Sequence, residues 1–419
     1  MKHLAAFWAA LLLLVASCGG DNGLGPATAT DVADQDQDET KSPVDDNYEY
    51  QLPVIFHVLY QDKDDATQYI PAPRLRSLLQ YVNEIYRGGI YGKSANMGLR
   101  FVLAERDENG CALPTPGVEY VRYTGEYPID EEAFMSDRAN TKYMWDPNEY
   151  INVMMYHFKS GGDGEVLGLS HMPLTIKTDH PLEGLQTVDR KYISKRQLGN
   201  ILCSSINSVY AGRSPDGGYF QSNRYTDGQH RTMTLVPTDI VVTLAHELGH
   251  YLGLFHVFAE NVGRDAKGEI FNVVDSCADT DHCKDTPSYN RKEYNNFLRD
   301  YMLATPRQKM DANYLIGRHA CDGSKFLSDN VMDYSFTMGY KFSADQKARV
   351  RHVLYYSPLI PGPKLNGANK RTRGSEERED ALNIKPRMIR HQASKKLPHV
   401  KIWQREAMRP ISTELIYCP

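Results

Sequence analysis

The sequence predicts an α+β fold in which a mixed sheet precedes a long helix that carries several histidines. A strand–helix–strand–strand order occupies the first part of the chain, up to about residue 173. The histidine-rich helix comes next, and a mostly irregular part with one last helix follows it.

The first elements are apolar runs interrupted by one helical pattern. LPVIFHVLY (52–60) is apolar and β-branched enough for a buried strand. GLRFVLAE (98–105), EYINVMMYHF (149–158) and GEVLGLSHMP (164–173) predict three more strands, the last at the sheet edge. The intervening helix has apolar residues at helical spacing before a glycine pair: Leu75, Leu78, Leu79, Val82, Ile85 and Tyr86, then Gly88 and Gly89. Residues 174–236 give no clear prediction.

Two later segments carry clear helix signals. Thr238 or Asp239 can cap a helix that contains the histidines, and Gly253 suits the left-handed turn that would end it. Its apolar face contains Val241, Leu244, Ala245, Leu248 and Leu252. Near the end, Ser343 and Gln346 have capping-box spacing and Pro358 lies beyond the predicted helix.

The eleven residues HELGHYLGLFH (246–256) carry the spacing of a metal site. On a helix, His246 and His250 share one face, and Gly253 allows a sharp turn that returns His256 as a third ligand. Three protein ligands leave one tetrahedral position open, which is typical of a catalytic zinc site.

Glu247 lies about 100° round the helix from His246, where it can reach a water molecule without being a ligand. As general base it would take the proton of that water and pass it to a leaving amine, so that a peptide bond is hydrolysed. An amphipathic helix with surface histidines is the alternative. The five fixed positions of HExxHxxGxxH favour the metal site.

Residues 1–17 predict a bacterial lipoprotein signal peptide. Lys2 precedes an apolar run (4–16) that is too short to span a bilayer comfortably. VASC then resembles a lipobox, in which Cys18 becomes the lipid-modified first residue; an ordinary signal peptide is the alternative. We therefore expect export to the cell envelope and anchoring at the outer membrane. The sequence does not indicate on which face of that membrane the protein lies.

Residues 18–48 are acidic and poor in large apolar groups, which predicts a flexible tether or a short pro-segment. A latent proenzyme, with an aspartate of this segment on the zinc, is one alternative. No cysteine lies between Cys18 and Cys111, so a thiol switch from this segment is excluded. The six cysteines besides Cys18 suggest disulfides but allow 15 pairings.

The remaining features of the sequence are its overall composition and its C-terminal segment. With 41% hydrophobic and 24% charged residues, the chain is ordinary for a globular protein, and its net charge of −5 gives no case for nucleic-acid binding. Residues 358–419 form a linker and then a basic, weakly apolar segment without a predicted fold. A solvated tail is favoured there over attraction to anionic surfaces.

The histidine motif, together with SDNVMDYSF (328–336), resembles the metzincin metalloproteases. Within them the chain resembles the pappalysin family over roughly residues 50–356, and more narrowly the zinc-dependent metalloproteinase lipoproteins of Bacteroides and its relatives. The segment 179–237 and the tail after residue 358 depart from that pattern, which leaves substrate choice and regulation open.

The resemblance implies a metzincin (zincin-like) fold with the active-site helix above the cleft. A catalytic domain would span 49–357, with an upper subdomain (49–253) and an irregular lower one (254–357) that holds the Met-turn and the last helix. Met332 would lie under the metal, and Tyr334 would help to stabilise the oxyanion. Plain core packing is the alternative for Met332, and a buried tyrosine with a satisfied hydroxyl is the alternative for Tyr334. Substrate would lie antiparallel on the strand VLGLSHMP (166–173).

The family pattern also implies a disulfide between Cys283 and Cys321. Some relatives hold structural Ca²⁺ and prefer a basic residue after the scissile bond. Four aspartates cluster in sequence as candidate calcium ligands, although an acidic surface loop is the favoured explanation: Asp275, Asp279, Asp281 and Asp285.

We conclude from the sequence that the chain is a zinc-dependent endopeptidase acting on protein or peptide substrates. The alternative is a zinc-stabilised cell-surface binding protein without proteolytic activity. Glu247 argues against that alternative, because a structural zinc site needs no base. The oligomeric state is not predicted.

Overall fold

The computed structural model describes residues 47–159, 164–177, 181–211, 232–264, 270–365, 382, 384–394, 397 and 400–403. The strands are β1 Tyr50–Tyr60, β2 Leu99–Leu103, β3 Val118–Arg122, β4 Ile151–Tyr156, β5 Gly164–His171, β6 Thr175–Ile176, β7 Thr187–Val188, β8 Ser204–Asn207, β9 Thr232–Leu235, β10 Asn261–Arg264, β11 Ile270–Val273, β12 Gly317–His319, β13 Lys325–Leu327, β14 Met388–Ser394 and β15 Val400–Trp403. The α-helices are α1 Ala72–Arg87, α2 Glu131–Ser136, α3 Ile240–Tyr251, α4 Arg291–Ala304, α5 Ala312–Ile316 and α6 Ala344–Tyr356.

A mixed, seven-stranded sheet forms the centre of the upper part, in the order β14-β5-β8-β4-β1-β2, with β3 beside β1. The pairs β1/β2, β1/β3, β1/β4 and β4/β8 are parallel, whereas β5/β8 and β14/β5 are antiparallel. This confirms the predicted α+β class with a mixed sheet. The short β3 was not predicted.

The helix α3 packs against β5, β8 and α1. Its first turn is capped by Asp239, whose carboxylate accepts the N–H groups of Val241 and Val242. Tyr86 of α1 donates a hydrogen bond to the Ala245 carbonyl, with an O–O distance of 2.9 Å. Every residue of α3 is buried, so the histidines lie inside the molecule and not on a surface face.

The lower part contains the segment after α3, two small hairpins and the helices α4 to α6. Ser343 and Gln346 form the predicted capping box at the start of α6. A buried ion pair holds this part together, because Arg318 Nε lies 3.4 Å from Asp333 Oδ2 and both side chains are almost fully buried.

The predicted disulfide between Cys283 and Cys321 is wrong. Cys321 is bonded to Cys277, with a Cα–Cα distance of 5.5 Å, and Cys283 is a buried thiol. Hydrogen bonds between neighbouring segments explain why Cys321 is bonded to Cys277 and not to Cys283. Cys321 N–H donates to the Ser288 carbonyl, and Ser288 Oγ–H donates to the carbonyl of Ala278, the residue after Cys277.

The prediction of a solvated C-terminal tail is wrong for β14, which continues the main sheet as its last strand. It pairs with β5, so β5 is not the free edge that the sequence suggested. Residues 1–46, including Cys18 and the predicted signal peptide and tether, lie outside the described residues. Among the described helices, none is long and apolar enough to span a bilayer.

Candidate metal centre

Three histidines meet at the end of α3, each held by a hydrogen bond from its Nδ1. His246 Nδ1 donates to the Val331 carbonyl at 2.8 Å, and His250 Nδ1 donates to the Leu254 carbonyl at 2.7 Å. His256 Nδ1 donates to Glu260 Oε2 at 2.7 Å. Because Nδ1 carries the proton in each ring, the Nε2 lone pair is left for a ligand.

The Nε2 atoms converge as the ligands of one ion would. His250 and His256 bring their Nε2 atoms within 3.1 Å of each other, and buried His246 Nε2 has no hydrogen-bond partner. One ligand atom from each of the three side chains lies within 4.8 Å of the others. Neutral imidazoles are ligands that zinc prefers, so the donor set fits this ion.

Local backbone geometry explains how the third histidine returns. Gly253 has a φ of 93°, the left-handed conformation expected after α3, and a Cβ there would also approach Val353 to 2.8 Å. The chain then reverses, and His256 comes back beside His250. The predicted role of Gly253 is therefore confirmed.

Burial keeps the three histidines neutral. It lowers the pKa of His246 to about 4, although the hydrogen bond to Val331 opposes the shift. Burial, followed by the charge of neighbouring histidines, lowers the pKa of His250 and His256 well below the usual range. At neutral pH the rings therefore need not lose a proton to bind a metal ion.

Glu247 lies beside the histidines in a fully buried position. Neither of its carboxylate oxygens has a hydrogen-bond partner, and burial raises its pKa well above the usual range. A ligand atom of Glu247 lies within 4.8 Å of ligand atoms of His246 and His391. An unpartnered buried carboxylate is costly for the fold, which is typical of a catalytic group.

Met332 lies directly beneath α3. A Cβ at Gly249 would lie 2.5 Å from the Met332 sulfur, so the helix needs a glycine where the methionine packs. Met332 N–H is held by the side chain of Asn330 at 2.9 Å. Met332 therefore packs against α3 beside His250, and its role in a Met-turn stays a prediction.

Tyr334 lies at the same side as the histidines, with its ring centroid 4.4 Å from that of His256 and 5.6 Å from that of His246. Its hydroxyl accepts a hydrogen bond from the backbone N–H of Gln392. The Arg291 guanidinium lies 4.0 Å from the centre of the Tyr334 ring. The aromatic ring is thus packed between a cation and the metal ligands.

Three residues of the site were missed by sequence reasoning. Glu260 could have been found, because it follows His256 by four residues and orients that ring. Arg291 belongs to α4, and His391 belongs to the tail, which the sequence predicted to be solvated. The His391 ring stacks on His246 with centroids 4.5 Å apart.

The described structure gives no support for a calcium site at the four aspartates. Asp275 pairs with Lys292, Asp285 Oδ2 accepts the N–H groups at the start of α6, and Asp281 accepts hydrogen bonds from Thr286 and Cys283. Among the described residues, the groups that could hold a metal involve only histidines and Glu247. The acidic-loop explanation is the better one.

Residues 211–355 match the family model Peptidase_M43, described as pregnancy-associated plasma protein-A. This segment, about a third of the chain, is similar to the pappalysin family of metalloproteases. The matched segment contains the three histidines, Glu247, Met332 and Tyr334. The match supports a metalloprotease, as the sequence predicted.

Solved structures of another protein are similar in part. Mirolysin in complex with compound 9 shares 21% identity over 73% of this chain and 92% of that chain, with a TM-score of 0.45. Mature mirolysin of Tannerella forsythia in complex with a cleaved peptide shares 21% identity over 72% of this chain and 90% of that chain, with a TM-score of 0.43. No curated protein matches the sequence.

Proposed function

We propose that this metalloprotease is a zinc-dependent endopeptidase in which Glu247 is the general base. The observation that carries the proposal is the juxtaposition of an unpartnered, buried carboxylate with three histidines whose Nε2 atoms converge. A purely structural metal site would give no reason to bury that carboxylate.

His246, His250 and His256 would hold the ion. When bound, zinc supplies Lewis acidity to a water molecule and to the peptide carbonyl. Glu260 keeps the His256 ring oriented through its 2.7 Å hydrogen bond, and two backbone carbonyls do the same for the other rings.

Glu247 would move the proton. It accepts a proton from the attacking water and delivers it to the nitrogen of the leaving amine. Hydrolysis then gives an uncharged carboxylic acid and an uncharged amine. Burial raises the pKa of the Glu247 carboxyl group, which makes its ionised form a stronger proton acceptor. Tyr334 would donate its hydroxyl proton in a hydrogen bond to the oxygen that becomes negative.

Substrate would be an extended polypeptide segment. β5 packs against α3 and is paired on its other side with β14, so a peptide strand would have to replace β14 to lie antiparallel on β5 beside Glu247. The rival function is that of a zinc-stabilised binding protein, which would use the same edge without hydrolysis.

Glu247→Ala tests the proposal. We expect about one zinc per chain and a near-normal melting temperature, with proteolysis of casein and of a peptide library reduced at least about 10²-fold. The matched control is Glu49→Ala, which removes an exposed carboxylate before β1 and should cleave like the wild type. The assay should include chains nicked in the acidic N-terminal segment, so that a latent precursor is not taken for an inactive protein.

A zinc-loaded wild type that cleaves nothing in either form, with a His391→Ala variant that also cleaves nothing, would favour the binding protein. A Glu247→Ala variant that cleaves as well as the wild type would show that another group is the base.

We further propose that the protein is held at the outer membrane of a bacterial envelope through lipid on Cys18. The basis is the order of Lys2, the apolar run and VASC at the N-terminus. Cys18→Ser should remove the acyl mass and shift the protein out of the detergent phase. Unchanged partitioning, with no acyl group on the wild type, would contradict the anchor.

A further inference from the structure

The tail strand β14 lies where a substrate strand would lie. Its residues 388–394 pair antiparallel with β5, from Met388 opposite His171 to Ser394 opposite Gly164. The pairing is extended by Met172 N–H, which donates to the Arg387 carbonyl at 2.7 Å. The backbone of this edge is therefore already occupied by the chain itself.

The strand places one imidazole against the metal centre. His391 is 4% exposed, and its Nδ1 has no hydrogen-bond partner. Its ring stacks on His246 at 4.5 Å and on Tyr334 at 4.9 Å, measured between centroids. One ligand atom each from His246, Glu247 and His391 lies within 4.8 Å of the others, and this group shares His246 with the group of three histidines.

The neighbours of His391 anchor the strand on both sides. Ile389 is buried against Met172 and Phe255. The Gln392 backbone donates to the Tyr334 hydroxyl, and Arg390 forms an ion pair with Glu132. Contacts with the sheet, the Met-turn region and α2 thus fix the position of the strand along the cleft.

Arg387, the residue before β14, forms a further contact beside His256. Its guanidinium lies 5.3 Å from the centre of the Phe255 ring and is attracted by the Glu260 carboxylate. Glu260 is the residue that orients His256, so this contact adjoins the metal ligands.

We propose that the tail segment 387–394 is an internal ligand of the cleft, and that His391 is a fourth protein ligand of the metal. Three histidines leave one tetrahedral position open, and a fourth imidazole closes it. With His391 on the metal, the position that water needs is filled, and β14 covers the backbone edge that a substrate strand needs. That this state is inactive rests on the function proposed above, whereas the coordination itself does not.

The number of imidazoles on the metal tests the coordination directly. Zinc-edge X-ray absorption on the zinc-loaded chain should show four histidine ligands for the wild type and three for His391→Ala. The control His352→Ala removes a histidine on α6, outside the cluster, and should keep four. Three imidazoles in the wild type would overturn the proposal, whatever the variants do. If His391→Ala does not fold, His391→Gln serves as the second variant.

Access of a small probe tests the closure. Acetohydroxamate should bind the cobalt(II)-substituted His391→Ala variant at least about tenfold more tightly than the cobalt(II)-substituted wild type. The visible absorption of cobalt measures this binding. The reason for the expected difference is that the tail of the variant no longer competes for the metal. Ile389→Asp should have the same effect by loosening the strand from Met172 and Phe255. Equal affinity in all three proteins would overturn the closure.

Neither measurement needs peptide hydrolysis. Failure of the internal-ligand proposal can therefore be distinguished from failure of the protease proposal. Four imidazoles in the wild type without cleavage by any variant would leave His391 as a ligand and reject the protease function. Three imidazoles in a wild type that cleaves peptides would reject the internal ligand and leave the protease function intact.

Discussion

Gly168 of β5 directly faces Glu247 of α3, and the space between them leaves no room for a side chain. A Cβ at position 168 would lie 2.5 Å from both Glu247 Cγ and Oε1. Real carbon atoms do not approach so closely, so any side chain at 168 must displace the carboxylate. The strand therefore sets the position of the proposed base.

Gly168→Ala should lower the rate of peptide hydrolysis at least about tenfold while zinc stays bound, because displacing a general base by about 1 Å is costly for catalysis. The readouts are kcat and zinc content. The control is Gly199→Ala, where a Cβ has open space around it, and which should behave like the wild type. Unchanged kcat in Gly168→Ala would mean that Glu247 need not stay where the structure has it.

Tyr334→Phe should keep zinc and the fold but lower kcat by a factor of about 10² to 10³, the usual loss for one oxyanion donor. The ring contacts with His246 and His256 survive the substitution, and only the hydroxyl is removed. Loss of zinc or a large fall in melting temperature would instead show that Tyr334 is structural. Because Gln392 donates to the same hydroxyl, the comparison should be repeated in the His391→Ala background.

The Cys277–Cys321 bond should stabilise the lower part by closing a long loop. The cysteines are 44 residues apart, for which chain entropy gives about 4 kcal/mol. Cys277→Ser combined with Cys321→Ser should lower the free energy of unfolding by about 2 to 4 kcal/mol in urea. Peptide mapping without reduction should recover the Cys277–Cys321 pair, and Cys283 should react with a thiol reagent only after unfolding. A Cys283–Cys321 peptide would contradict this assignment.

Sequence reasoning reached the chemistry where the signal is local. The His246–His256 motif, the cap at Asp239 and the turn at Gly253 depend on residues within a few positions of each other, and the structure has them as expected. The apolar periodicity of α1 and β1 was equally direct, because burial of those residues follows from spacing alone.

What the sequence could not give are contacts between distant segments. Nothing near Cys277 indicates that Ser288 and Cys321 pair through their backbones and bring Cys277 to the bond. The weakly apolar segment around His391 lacked any strand signal, since its pairing depends on the free edge of β5 more than on its own propensity. The regulation that we propose lies in that unpredicted contact.

Asp281 gives a prediction for stability against pH. It is buried, and this burial raises its pKa from 3.8 to about 7, with nearby Asp279 adding to the shift and hydrogen bonds from Thr286 and Cys283 opposing it. The folded state therefore keeps a proton on Asp281 at pH values where the unfolded chain has lost it. Its contribution to stability is present at low pH and is lost as the pH rises from about 4 to about 7.

Asp281→Asn mimics the protonated carboxyl group and should remove this dependence. Between pH 5 and pH 8, the free energy of unfolding of the wild type should fall by about 2 kcal/mol more than that of Asp281→Asn. The control Asp300→Asn removes an exposed carboxylate on α4 and should keep the wild-type dependence. Urea titrations at the two pH values measure all three proteins. If wild type and Asp281→Asn change in parallel, Asp281 is already ionised at pH 5 and its burial is compensated by the Thr286 and Cys283 hydrogen bonds.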